Sequence, residues 1–203
     1  MTERVPQQER SRITRERLLR AAVDVLAEQG WAAATVATVA ARAGVSRGAA
    51  QHHFPTREAL VTATLEQIFA DLTAVTSETT ETTETTDTTE PGDRIAAVVE
   101  RAVGIYTGKE FKAALQVWAA AASDPALREL ILPLEAKFAR AAHRMTVAAL
   151  GPSDDDQRIH RVAQLTLDLA RGLGLADTLS DDSKRRAQVV ATYVELVRAA
   201  LGE

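Results

Sequence analysis

The chain is predicted to be all-α: an amino-terminal three-helix helix-turn-helix domain followed by a larger helical body. Three observations carry this. Ala and Leu dominate an apolar content of 46% while aromatics are 4%, which favours helices over strands. Apolar residues recur at helical spacing over most of the chain. The stretch 35–57, TVATVAARAGVSRGAAQHHFPTR, reads as two short helices around a tight turn, stopped by an aromatic and a proline.

Residues 1–13 are polar, carry Arg4, Arg10 and Arg12, and are expected as a flexible basic arm. Helical spacing begins at Thr14 with Leu18, Leu19, Ala22, Val23, Val25 and Leu26, and Gly30 is the expected stop. Thr35 is placed to cap a second helix whose apolar face is Val36, Val39, Ala40 and Ala43. Gly44 supplies the turn, Val45 points inward, and Ser46 caps a third helix that runs to His53. Phe54 closes the motif at 35–54. Pro55 forbids simple continuation, and Thr56 caps a fourth helix with Leu60, Val61, Leu65, Ile68, Phe69 and Leu72. The reading domain is therefore 14–60 and the body 61–203.

Within the body, 77–93 (SETTETTETTDTTEPGD) is poor in apolar residues and largely β-branched, so a loop is expected there. Helices are expected at about 94–107, 109–122, 125–150, 154–179 and 182–201, separated by Gly108, Asp124-Pro125, Gly151-Pro152 and Ser180-Asp181. Asp154, Asp155 and Asp156 are assigned to the first turn of a helix, where negative charge meets the positive dipole end. A metal cluster there is disfavoured, because three successive helical side chains diverge.

The net charge of −4 hides an asymmetry. Residues 1–60 hold nine Lys/Arg against six Asp/Glu, while 61–203 hold fifteen against twenty-two. A basic reader on an acidic body suits a DNA-binding module. The chain has no cysteine, which excludes disulfides and thiolate metal sites and fits a reducing cytoplasm. No signal peptide and no membrane span is expected, since apolar runs are broken by charge well short of the ~18–20 residues needed.

The run from Arg15 to Leu60 resembles the amino-terminal domain of the TetR (tetracycline repressor-like) transcriptional regulators. The matching residues are Arg15, Ala21-Ala22, Gly30, Thr35, Ala40, Ala43-Gly44-Val45-Ser46, Gly48, His53-Phe54 and the Leu60 after Arg57-Glu58. They cover about a quarter of the chain. Farther along, 115–128 (LQVWAAAASDPALR) and 169–175 (LARGLGL) are similar to segments of the family's regulatory domains. The family commonly has Tyr, a phosphate contact, at the position held here by Gln51.

On the third helix, Ala49 and His53 are expected to face the other helices, leaving Arg47, Gly48, Gln51 and His52 towards the groove. Arg47 suits bidentate bonding to guanine, and Gln51 suits adenine or phosphate. Gly48 leaves room for close approach. Thr35, Ser46 and the amides at those helix starts suit phosphate. The resemblance places Arg57 where members carry a phosphate-binding lysine. His53 and Phe54 are expected to pack inward. A His52-His53 metal site is disfavoured, because neighbouring side chains diverge.

The last helix carries two apolar stripes, Val190, Val194, Val197, Leu201 and Val189, Tyr193, Leu196; Leu165, Leu169, Leu173 and Ala176 continue the pattern on the preceding helix. A terminal helix apolar on two sides needs both its own core and a partner. The resemblance implies a homodimer through these two helices. It also implies a pocket for a small-molecule effector, apolar or amphipathic by composition. Candidate liners are Tyr106, Phe111, Leu115, Trp118, Phe138, Met145 and Leu165, with His143, Gln164 or Asp168 as polar handles. The expected function is thus a cytoplasmic, ligand-responsive regulator, most simply a repressor, that binds a palindromic double-stranded DNA operator as a dimer and is released by an inducer. No cofactor or metal is expected. An enzyme is disfavoured because there is no phosphate-cradling glycine loop and no nucleophile elbow. A scaffolding dimer that no longer reads DNA is the other alternative, supported by Gln51 and opposed by Gly44, Ser46, Arg47 and Arg57.

Overall fold

The computed structural model describes residues 7–83, 91–151 and 156–202. Every element among them is a helix: α1 (Gln7–Ala33), α2 (Val36–Ala43), α3 (Arg47–His53), α4 (Arg57–Thr83), α5 (Pro91–Thr107), α6 (Lys109–Ala121), α7 (Pro125–Leu150), α8 (Gln157–Ala176) and α9 (Ser183–Leu201). They divide into two compact units. The first holds the chain up to Ile68 together with Ala113–Leu134; the second holds Phe69–Lys112 and Glu135–Glu203. The first unit therefore extends past residue 60 and takes in most of α6 and the start of α7.

In the first unit, α1 buries Leu18, Leu19, Ala21, Ala22, Val25 and Leu26 against α2 and α3, which contribute Val39, Ala40, Ala43 and Ala50. Phe54 and, from α4, Leu60, Val61 and Leu65 are also buried. Each buried Leu, Val or Phe contributes roughly 1.5–3 kcal/mol on leaving water, and each alanine methyl less. Gly30 has φ 79°, and the chain kinks there before a final helical turn to Ala33. The left-handed conformation is the reason the helix breaks at a glycine. Residues 7–13, expected in a loose arm, instead belong to α1, where Arg12 pairs with Glu9 and Glu16 one turn away on either side.

In the second unit, α5, α7, α8 and α9 bury one core that includes Ile95, Val99, Val147, Leu150, Ile159, Ala163, Val194 and Val197. α8 and α5 also approach closely at Gly174: a Cβ there would lie 2.0 Å from the Tyr106 carbonyl oxygen on α5. The Tyr193 and Thr166 hydroxyls, 3.1 Å apart, join α9 to α8. Asp177, just past α8, pairs with Lys112 at 2.9 Å and Arg186 at 2.5 Å.

Two expectations about boundaries change. α4 continues through 77–83 and α5 starts at Pro91, so both ends of the Thr/Glu-rich tract are helical; the expected loop at 84–90 lies outside the described residues. Asp156 caps α8 by accepting from the Arg158 amide instead of lying in its first turn, while Asp154 and Asp155 lie outside the described residues.

Candidate nucleic-acid interface

The turn between α2 and α3 is fixed from both sides. Thr35 accepts from the Thr38 amide at 3.1 Å and Ser46 from the Ala49 amide at 3.2 Å, each satisfying one orphan donor for about 1 kcal/mol. Gly44 at φ 63° ends α2, its amide bonding back to the carbonyls of Ala40 and Ala41. Arg17 of α1 donates to the Ala43 carbonyl at 2.6 Å, and Arg42 of α2 binds Glu28 of α1 through both carboxylate oxygens at 3.0 and 2.8 Å. The position of α2, and with it the turn into α3, thus rests on contacts to α1. None of these pairings has a local sequence signal, because the partners are 14 to 26 residues apart.

Along α3, Arg47, Gly48, Gln51 and His52 are exposed and Ala50 is fully buried. The packing face is centred on Ala50 and Phe54, one turn apart. Ala49 and His53, expected to face the core, flank that stripe and are half-buried. The helix is rotated by one residue from the sequence reading, because Phe54 buries the largest side chain in this segment and Ala50 lies directly above it. Burial, with His52 and Arg15 nearby, lowers the His53 imidazole pKa, so His53 is neutral near pH 7. A Cβ added at Gly48 meets no atom within 4 Å. Nothing inside the domain requires glycine there.

Arg57 is placed differently from a free phosphate ligand. Its guanidinium stacks 3.7 Å from the centroid of the Trp31 ring, and Nη2 donates to the Trp31 carbonyl. Burial lowers its pKa. The stack ties the start of α4 to the end of α1, and such contacts are worth about 0.5–2 kcal/mol. Thr56 beside it caps α4 through the Ala59 amide at 3.1 Å. Thr35, Ser46 and Thr56 use an oxygen lone pair as a cap; a hydroxyl keeps a rotatable hydrogen for another acceptor.

A second feature lies wholly within the second unit: a cavity of about 50 Å³ between α5, α7 and α8, lined by Tyr106, Phe138 and Met145 as expected, and also by Leu72, Val98, Arg101, Ile105, Thr146 and Leu167. The other candidates fall elsewhere. Phe111 is buried edge-on against Tyr106, with centroids 5.0 Å apart. Leu115 and Trp118 belong to the first unit. Leu165 is 58% exposed, on the outer side of α8. Gln164 and Asp168 bond to each other at 3.0 Å on the exposed side of the same helix, and His143 meets the His160 carbonyl at 3.3 Å. Leu165, Gln164, Asp168 and His143 share helices with the cavity without lining it, whereas Phe111, Leu115 and Trp118 lie on α6, which supplies none of its described lining. Arg101 was missed; its signal is a charge set into the apolar stripe Val98, Ala102, Ile105.

A helix-turn-helix whose exposed third helix is held by caps and cross-helix pairs is the scaffold of a DNA-reading regulator. The model of bacterial regulatory proteins of the tetR family matches residues 18–64. The helix-turn-helix-type transcriptional regulator CymR of Pseudomonas putida is 31% identical over 195 residues, covering 95% of this chain and 93% of its own. A transcriptional regulator from Rhodococcus sp. Rha1 has a similar structure, with TM-score 0.71 and 25% identity over 91% of this chain and 96% of that one. A regulator from Saccharomonospora viridis solved in complex with choline shares the fold at TM-score 0.67 and 18% identity, over 91% and 96%. The chain belongs to the TetR family. It is a DNA-binding transcriptional regulator and not an enzyme, and no helix among the described residues is long and apolar enough to cross a membrane.

Proposed function

We propose that the protein is a ligand-released repressor that binds a palindromic operator as a homodimer. The observation that carries the reading role is the exposed face Arg47, Gly48, Gln51, His52 on a helix that follows a tight turn from α2, itself tied to α1 by Arg17 and Arg42. Arg47 bonds to a guanine edge in the major groove and Gln51 to adenine or phosphate, with Gly48 letting the helix backbone approach. Thr35 and Ser46 donate to phosphates flanking the groove, with the helix-start amides behind them. Arg57 supports the interface indirectly: it fixes α4 against Trp31 and gives positive potential near the phosphates.

One such helix contacts few base pairs, so a second copy is required for specificity. The partner surface is the outer side of α8 and α9. Leu165, Leu175 and Leu196 are 58%, 55% and 62% exposed there, and Leu169, Val189 and Tyr193 line a shallow apolar groove between them. Val194 and Val197, on the opposite stripe of α9, are already buried in the core. A two-helix apolar face of this kind is covered by its own copy in a four-helix arrangement.

Effector binding occupies the cavity beside Tyr106 and Phe138. At about 50 Å³ it is smaller than the ~150 Å³ that holds a benzene, so a larger ligand has to displace side chains such as Met145. A ligand that seats only after such movement has different affinities for the two states, which is the condition for shifting the dimer away from the 34–36 Å half-site spacing.

The test of base reading is Arg47→Ala. Affinity for the selected operator falls by about 1–3 kcal/mol, roughly 5- to 150-fold, while random-sequence DNA at the same salt loses much less. Equal losses on both DNAs reject Arg47 as a base reader.

A further inference from the structure

We infer that the effector is a small organic acid: an apolar body bearing one carboxylate or similar anionic group, held by Arg101. This rests on the reading of the α5–α7–α8 cavity as the effector site. Arg101 is the one charged side chain among the described residues that line it, and no carboxylate is among them. The rest of the lining is aliphatic and aromatic apart from Thr146.

The polar atoms of the lining point to the same chemistry. A guanidinium carries five N–H donors in a planar fork, so Arg101 can serve a ligand carboxylate while keeping another partner. Tyr106 is 1% exposed; Arg171, which can only donate, lies beside its hydroxyl, so no acceptor among the described residues takes the hydroxyl hydrogen. Burial raises the phenol's pKa against the opposing pull of Arg171, so at neutral pH it is an uncharged donor. Thr146 donates its hydrogen to the Ala142 carbonyl at 2.8 Å. The cavity thus offers the positive charge of Arg101 and the phenol donor of Tyr106, while the Thr146 oxygen, its hydrogen already given, has only lone pairs to offer. A ligand rich in acceptors and negative in charge is its complement.

A quaternary ammonium such as choline is the wrong complement, although a regulator of this fold is known in complex with choline. A cation in this cavity lies beside the Arg101 side chain, and like charges raise the cost of its burial.

The test titrates the purified full-length protein with head-group series on two bodies: benzoate, benzyl alcohol and benzyltrimethylammonium, then hexanoate, hexan-1-ol and hexyltrimethylammonium. Calorimetry at neutral pH is expected to give at least one carboxylate about tenfold tighter than its alcohol, with the cation weakest. Arg101→Gln is expected to collapse the carboxylate preference to about twofold or less, and Arg101→Lys to retain most of it. Thermal melting of each unliganded variant reports whether it folds, and the Lys variant decides if the Gln variant does not. The class is overturned if the cation or alcohol binds as tightly as the acid, if neither acid binds at millimolar concentration, or if removing the guanidinium leaves the preference intact. Operator binding is measured separately. An acid that binds without releasing DNA upholds the ligand class and refutes the inducer reading; release by the ammonium compounds alone does the reverse.

Discussion

Replacing Gly174 by Ala places one methyl group where the fold has no room. The added Cβ lies 2.0 Å from the Tyr106 carbonyl oxygen and 2.8 Å from both the Tyr106 carbonyl carbon and Phe111 Cε1. Ordinary contact begins at 3.4 Å, so relief needs a separation of α5 and α8 by roughly 1.4 Å in a close-packed core. Two of the three atoms are backbone and have no rotamer by which to yield. Overpacking costs about 1–3 kcal/mol, and a backbone clash of this depth sits at or beyond the upper end. Alanine offsets roughly 1 kcal/mol through its better helix propensity. The net expectation is a loss of about 2 kcal/mol, or about 4–8 °C in Tm for a chain of this size. The control is Gly104→Ala on α5, where a Cβ meets no atom within 4 Å and the propensity term acts alone. That variant is expected to melt at or up to about 4 °C above the parent. Thermal scans at one protomer concentration make the comparison, since dimerisation ties Tm to concentration. If Gly174→Ala melts as high as Gly104→Ala, the close approach of α5 and α8 is wrong.

Gly48→Ala should separate stability from function: space around the position leaves the fold intact or up to about 1 kcal/mol more stable by denaturant melt, while operator affinity drops because the methyl group lies between α3 and the groove. Leu196→Glu puts a charge on a 62% exposed apolar position of α9 and should yield a folded monomer by analytical ultracentrifugation; an unchanged dimer moves the interface elsewhere. Asp177→Asn should cost about 1.5 kcal/mol at pH 7, the lower end for charged hydrogen bonds because Lys112 is partly solvated. Bonding to Lys112, then Arg186, lowers the carboxyl pKa from 3.8; its contribution is therefore present above about pH 4 and disappears as pH falls through the folded value, so the two proteins should converge in acid.

Much of the reading domain was legible locally. Its caps, its turn glycine and its stop signals act over three or four residues: Thr35 on Thr38, Ser46 on Ala49, and Gly44 on Ala40 and Ala41. The exposed set Arg47, Gly48, Gln51, His52 also followed from period alone. The rotation that buries Ala50 in place of Ala49 did not, because both are alanines and only the docking of Phe54 distinguishes them. The candidate pocket fared worse. Size and apolarity suggested Leu165, Leu115 and Trp118, yet which face of a helix meets a cavity depends on neighbours far away in the chain. The charged liner Arg101 is absent from the expected polar handles His143, Gln164 and Asp168, because a charge beside an apolar stripe reads equally well as the solvated edge of a helix.

The sequence by itself determined the helical class, the helix boundaries to within a few residues outside the Thr/Glu-rich tract and the terminal arm, the family and the DNA-reading segment. These depend on periodicity, on capping chemistry and on a set of residues at fixed local offsets. The tertiary structure alone decided that Arg57 stacks on Trp31, that Gly174 lets α8 touch the backbone of α5, and that a guanidinium and a buried phenol share one apolar cavity. The first two join residues 26 or more positions apart, and the cavity beside Arg101 and Tyr106 is closed by Phe138 and Leu167 from other helices, so local propensity carries no information and only packing brings the groups together.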